Sequence, residues 1–130
     1  MNPLNKAMSS AASGMDAQAF RLRVVSENIS NADTHGYQRK LLSFKSIVDN
    51  LSGAGGVAVG GVSLDSSEGE QQFDPGHPLA DENGYVTFSN VEMMTELADA
   101  REAGRSYEAN LATFKQAREM YGSLIDLLRR

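Results

Sequence analysis

The sequence predicts a mainly α fold: long N- and C-terminal helices packed as a coiled-coil-like pair, with a small Gly-rich β/loop insert between them. Three observations lead there. Apolar residues recur every seven positions near both ends, the spacing of a helix seam. Eight of the 12 glycines fall between residues 51 and 90, together with Pro75 and Pro78. Charge divides at the same places. Residues 1–45 hold six Lys/Arg and three Asp/Glu, residues 46–90 hold seven acids and no base, and residues 91–130 hold six bases and seven acids. The expected division is a helical domain made of residues 1–44 and 89–130 and an acidic, β-rich insert of residues 45–88.

The first element starts at Asn2, a candidate cap, with Pro3 at the first helical position, where a missing N–H is harmless. Met8, Met15, Leu22 and Ile29 form one heptad series. Leu4, Ala11, Gln18 and Val25 form its companion, with Gln18 the only polar member. A helix from Pro3 to about Ile29 spans roughly 40 Å at 1.5 Å per residue. Asn28, Asn31, Asp33, Thr34 and Gly36 then crowd a short stretch, a strong stop signal, and Tyr37 follows. Such side chains bond backbone groups freed at a helix end.

The middle reads as short strands and turns. Val57 to Val59 and Val62 to Leu64 flank Gly60-Gly61, which is either a two-residue hairpin turn or a bulge in one longer strand. Gln71 to Phe73 is a short strand candidate. Asp81-Glu82-Asn83-Gly84 is a turn before the alternating Tyr85-Val86-Thr87-Phe88. The last element opens with Ser89-Asn90-Val91-Glu92, which fits a capping box. Met93, Ala100, Tyr107, Phe114, Tyr121 and Leu128 repeat at seven, and Leu97, Gly104, Leu111, Arg118 and Ile125 form the second series. From Val91 to Leu128 the rod is roughly 57 Å long. Gly104, lying on the seam, reads as a point of close helix approach.

The composition excludes several function classes. With no Cys there are no disulfides, thiol chemistry or Cys-ligated zinc, and a thiol-free chain suits an oxidising compartment. A net charge of −5 with no basic cluster argues against nucleic acid. No apolar run has membrane-span length, and the N-terminus lacks the apolar core of a cleaved secretory signal. His35 and His77 are the only imidazoles. Neither has a nucleophile and an orienting acid in evident register, so a turn residue and a loop anchor are the better readings. Asp81 to Gly84 lacks the spacing of a calcium loop. The Asn28-Ile29-Ser30 triplet matches a glycosylation site but sits at a helix end. The glycine-rich phosphate loops GxGxxG and GxxxxGK[ST] are absent. No enzyme, metal, cofactor or small-molecule substrate is expected.

The segment SENISNADTHGYQRK at 26–40 resembles the N-terminal signature of flagellar basal-body rod and hook proteins, with Asn28, Ile29, Asn31, Thr34, Gly36, Tyr37, Arg39 and Lys40 aligned to it. FDPGHPLADENGYV at 73–86, SNVEMM at 89–94 and EAGRSYEANLATF at 102–114 resemble a short, proximal-rod member with little insert. His35 and Ser89 stand where the family commonly has Pro.

The resemblance implies a structural, self-assembling subunit in the periplasmic rod of the bacterial flagellum. Its helices would line the inner tube of the drive shaft, and its middle would form an outer lobe. Export would use the flagellar type III apparatus without a cleaved signal. Implied partners are further copies, other rod proteins, the rod–membrane-ring adapter and the export apparatus. The expected assembly interface is Met8, Ala11, Met15, Leu22, Val25, Ile29, Leu97, Tyr107, Leu111, Phe114, Tyr121, Ile125 and Leu128. The expected joint between helix and lobe is Asn28, Asn31, Gly36 and Tyr37. The rival reading is a soluble coiled-coil adapter or secretion chaperone, stably helical and dimeric in solution.

Overall fold

The computed structural model describes residues 2–130. Helix α1 covers Pro3–Ser30, and its cap is Asn2, whose side chain accepts from the Asn5 amide at 2.7 Å. Strand β1 is Lys40–Val48, β2 is Gly55–Leu64, β3 is Gln71–Phe73, β4 is Tyr85–Thr87, and helix α2 is Met93–Leu128. The fold is therefore mainly α, with two long terminal helices and two small antiparallel sheets, β1–β2 and β3–β4.

The capping-box expectation fails. Helix α2 begins two residues later than the sequence suggests, with Glu92 as a cap that makes no side-chain bond. The Ser89 hydroxyl instead donates to the Ala32 carbonyl, tying the turn after α1 to the entry of α2. The hydroxyl is aimed at a tertiary carbonyl and away from the first amides of α2.

Strand β1 was not foreseen. It pairs along its length with β2, and Ser43 faces Gly61 while Phe44 faces Val59. Gly60 is thus the extra residue of a bulge, which settles the Gly60-Gly61 alternative in favour of one long strand. The hairpin lies against α1: the Val57 amide donates to the Ser13 hydroxyl at 3.1 Å. Strands β3 and β4 pair from Gln71↔Thr87 to Phe73↔Tyr85. Their connecting loop ends in a turn held by Asp81, which accepts from the amides of Asn83 and Tyr85, each at 2.9 Å.

The helices run antiparallel. Asn28 meets Glu96, Arg21 meets Asp99 and Glu102, and Gly14 lies against Asn110. The contact positions on α1, namely 14, 21 and 28, are spaced by seven, but they are one place off the Met8/Met15/Leu22/Ile29 series. On α2 the buried residues are Glu96, Ala103 and Ala117. Small and polar groups fill the line between the helices, and the large apolar groups are left beside it. Gly104 borders open space within this chain, so the close approach expected there occurs at Gly14 instead, where an added Cβ would come within 2.7 Å of Asn110.

Little is fully covered. The largest completely buried side chains are Glu96, Val86 and Asn28, two of them polar. The accessible surface is 8875 Å² for a chain of 14.0 kDa. A compact monomer of that mass exposes about 6,700 Å². Among the described residues, no helix is long and apolar enough to cross a membrane.

Candidate functional site

The best-built polar constellation lies where α1 ends, β1 begins and α2 starts. Asn28, in the last turn of α1, is 1% exposed. Its amide oxygen accepts from the Tyr37 hydroxyl and the Lys40 amide, both at 2.9 Å. Its amide nitrogen donates to the Lys40 carbonyl at 3.1 Å and to Glu96 Oε2 at 3.3 Å. All four of its bonding positions are used. Asn28 therefore pins the first residue of β1 on both backbone groups and reaches across to α2. This also removes Asn28 as a glycosylation acceptor.

Glu96 has no exposed surface, so its charge needs a partner there. Arg39 supplies it by donating Nε–H to Glu96 Oε1, and reaches Asp99 Oδ2 through Nη2 at 3.0 Å. Burial works against the Arg39 charge, but the hydrogen bond and charge of Glu96, with Asp99 and Asp65, outweigh it and raise its pKa above the ordinary value. Burial, reinforced by the Glu27 carboxylate, pushes the Tyr37 phenol up. Arg21 continues the ion-pair row to Asp99 at 3.2 Å and Glu102 at 3.3 Å.

The remaining joint residues act on backbone. Asn31 caps α1: its Nδ2 donates to the Glu27 carbonyl at 2.9 Å, and its Oδ1 accepts from Thr34 Oγ1 at 3.1 Å. Gly36 has φ of 73°, a conformation that a side chain would strain. Its amide donates to the Thr87 carbonyl at 3.1 Å, joining the turn to β4. The His35 ring meets the rings of His77 and Phe88 edge-on, at centroid separations of 4.9 and 4.7 Å. The two imidazoles thus pack the turn onto the lobe.

Sequence reasoning placed Asn28, Asn31, Gly36 and Tyr37 here, named Arg39 only within the aligned signature and Asn90 only within the capping box, and missed Glu96. Asn90 accepts from the Arg39 amide at 2.5 Å and donates to the carbonyls of Asp65 and Ser67, each at 3.0 Å. Glu96 had one available signal: it shares a heptad register with Ala103 and Ala117, small residues that leave room for a neighbouring helix.

The expected interface residues divide. Ala11 and Val25 are buried within the chain. Met8, Met15, Leu22, Ile29, Leu111, Phe114, Tyr121 and Ile125 are half-buried, and Leu97, Tyr107 and Leu128 are exposed. Met93, Met94, Met120, Leu124 and Leu127, none of them on that list, are exposed as well.

The arrangement ties the end of α1 to the start of β1 and to α2, and leaves large apolar side chains of the helices open. The family model "Flagella basal body rod protein" matches residues 8–38, and the model "Flagellar basal body rod FlgEFG protein C-terminal" matches residues 82–127. The flagellar basal-body rod protein FlgC of Agrobacterium fabrum is 46% identical, covering 99% of this chain and 98% of that one. Its namesake in Salmonella typhimurium is 36% identical over 85% of this chain and 87% of that one. The one in Borreliella burgdorferi is 31% identical over 92% and 93%. The chain belongs to the FlgC family of flagellar basal-body rod proteins.

Proposed function

We propose that this chain, a structural subunit of the flagellar basal-body rod, polymerises through its terminal helices into the shaft that transmits torque. The family is structural, and the chain is a rod protein, not an enzyme. One observation carries the assembly reading. The accessible surface, 8875 Å², exceeds that of a compact monomer by about a third, and large apolar side chains of α2, among them Met94, Met120, Leu127 and Leu128, are exposed. Apolar area gains stability only once it leaves water, at about 25 cal/mol per Å². An isolated copy leaves that gain unrealised, and a lattice of neighbours completes it.

In this reading residues 1–44 and 89–130 carry the inner-rod helices, packed as a coiled-coil-like pair, and residues 45–88 form the outer acidic lobe. The half-buried series Met8, Met15, Leu22 and Ile29 and the residues Leu97, Tyr107, Leu111, Phe114, Tyr121, Ile125 and Leu128 meet other subunits. Contacts between copies are heterologous, the kind that repeats along a filament instead of closing into a dimer. The joint at Asn28, Asn31, Gly36 and Tyr37 fixes the lobe relative to the helices, so torque passes through packed side chains. Partners are further copies, other rod proteins, the rod–membrane-ring adapter and the export apparatus that delivers the chain.

The test is incorporation in cells lacking the native chain. Leu97→Asp and Leu128→Asp are expected to keep wild-type helicity by circular dichroism while the chain disappears from detergent-extracted basal bodies. Normal rods and motility with either variant contradict the proposal.

A further inference from the structure

A cavity of about 440 Å³ opens between α1, β1 and α2, beside the joint. Leu41, Leu42 and Phe44 give it an apolar wall, and Asp99 and Glu102 stand on the opposite side. Two features of its lining bear on what it can bind. The Gln18 Oε1 atom is shielded from solvent and has no hydrogen-bond donor, whereas buried acceptors are normally satisfied. The charges also do not balance. Three carboxylates, Glu96, Asp99 and Glu102, face two guanidiniums, Arg21 and Arg39; Lys40, also on the wall, is engaged by Glu27 outside it at 2.6 Å. A lining of this kind, acidic on one side and apolar on the other, suits a cation with several donors on an apolar carrier, which describes arginine.

The chain carries such a group on a segment without a partner. The register set by Asn28–Glu96 and Gly14–Asn110 brings Pro3 level with Tyr121, so the last turns of α2 run past the start of α1. In that overhang Leu124, Leu127 and Leu128 are 51%, 63% and 86% exposed. Arg129 and Arg130 follow directly, and neither forms an ion pair among the described residues.

We propose that this cavity receives an arginine, Arg129 or Arg130, from the α2 overhang of a second copy. The leucines of the overhang cover Leu41, Leu42 and Phe44, and the guanidinium supplies Gln18 Oε1 and the Glu102 carboxylate. The contact is head to tail. It rests on the assembly reading above and adds to it a named socket and plug.

Charge reversal tests it. Glu102 is 69% exposed at its side chain, so Glu102→Lys and the pair Arg129→Glu/Arg130→Glu are expected to keep wild-type helicity. Each alone is expected to lower the amount of chain in extracted basal bodies about tenfold, as removal of a close interfacial charge pair does. Combined in one chain they restore incorporation, because the reversed charges meet again. No loss with either single reversal overturns the proposal, and so does loss without restoration. Leu97→Asp run alongside separates the two ideas: its exclusion with indifferent charge reversals leaves assembly standing and removes only the socket, whereas its normal incorporation removes the assembly reading itself.

Discussion

Asn28 shows how one side chain turns a helix end into a joint. An amide inside a helix is otherwise a poor choice, since it competes for backbone bonds. Here the competition is useful: Asn28 bonds both backbone groups of Lys40 and ties them to Glu96. Asn28→Ala leaves the Tyr37 hydroxyl, both Lys40 groups and one Glu96 oxygen short of partners. It is expected to destabilise the chain by about 2–4 kcal/mol in urea unfolding, whereas Asp33→Ala, at an exposed position of the same turn, stays within about 0.5 kcal/mol. Two groups at the joint make stability depend on pH in opposite directions. The Tyr37 pKa is raised above its usual 10.0, by burial first and Glu27 second. Its contribution is complete below 10.0 and disappears as pH rises through the folded value, so the Tyr37 phenolate, read as the absorbance difference between the native chain and Tyr37→Phe, should appear at higher pH than the phenolates of the urea-unfolded chain; appearance at the same pH would contradict this. The Asp65 pKa is lowered below 3.8 by the Ser67 amide, the Ser67 hydroxyl and then Arg39. Its contribution is present above 3.8 and is lost as pH falls through the folded value, so the Asp65–Ser67 turn loosens only in strong acid.

The helices were legible because their signals are local. Asn2-Pro3 marks a start, and the heptads mark length. What faces what was not legible, because the positions that meet across the pair are occupied by Gly14, Arg21, Asn28, Glu96, Ala103 and Asn110, none of them a hydrophobic marker. The glycines test this. Gly104→Ala meets no atom within 4 Å and should stabilise α2 by about 0.5–1 kcal/mol in thermal unfolding. Gly14→Leu must displace Asn110 and should destabilise by about 1–3 kcal/mol. Strand β1 escaped notice for a related reason. From Ser43 onward it is exposed, so no buried face imposed the alternation by which strands are recognised. Its partner β2 contains four glycines, and only the pairing itself defines the element. At the joint the residues contiguous in sequence, from Asn28 to Tyr37, were readable as a stop and a turn. Glu96 and Asn90 were not, because their roles depend on a fold that brings position 28 to position 96.

The molecule as a whole buries few large side chains, and the most thoroughly buried are Glu96, Val86 and Asn28. Polar groups fix its geometry and large apolar groups stand exposed, the division that the proposed assembly accounts for. Helices of this kind gain most of their stability from packing, so amide exchange along α2 is expected to be fast in the free chain and slow after assembly. The most direct measurement uses the absence of cysteine: Leu128→Cys gives a single thiol at a position 86% exposed in the isolated chain. Maleimide should label it readily in the free subunit and fail to label it in intact, detergent-extracted basal bodies. Equal labelling in both states would show that α2 meets no neighbour there and would contradict assembly through the terminal helices.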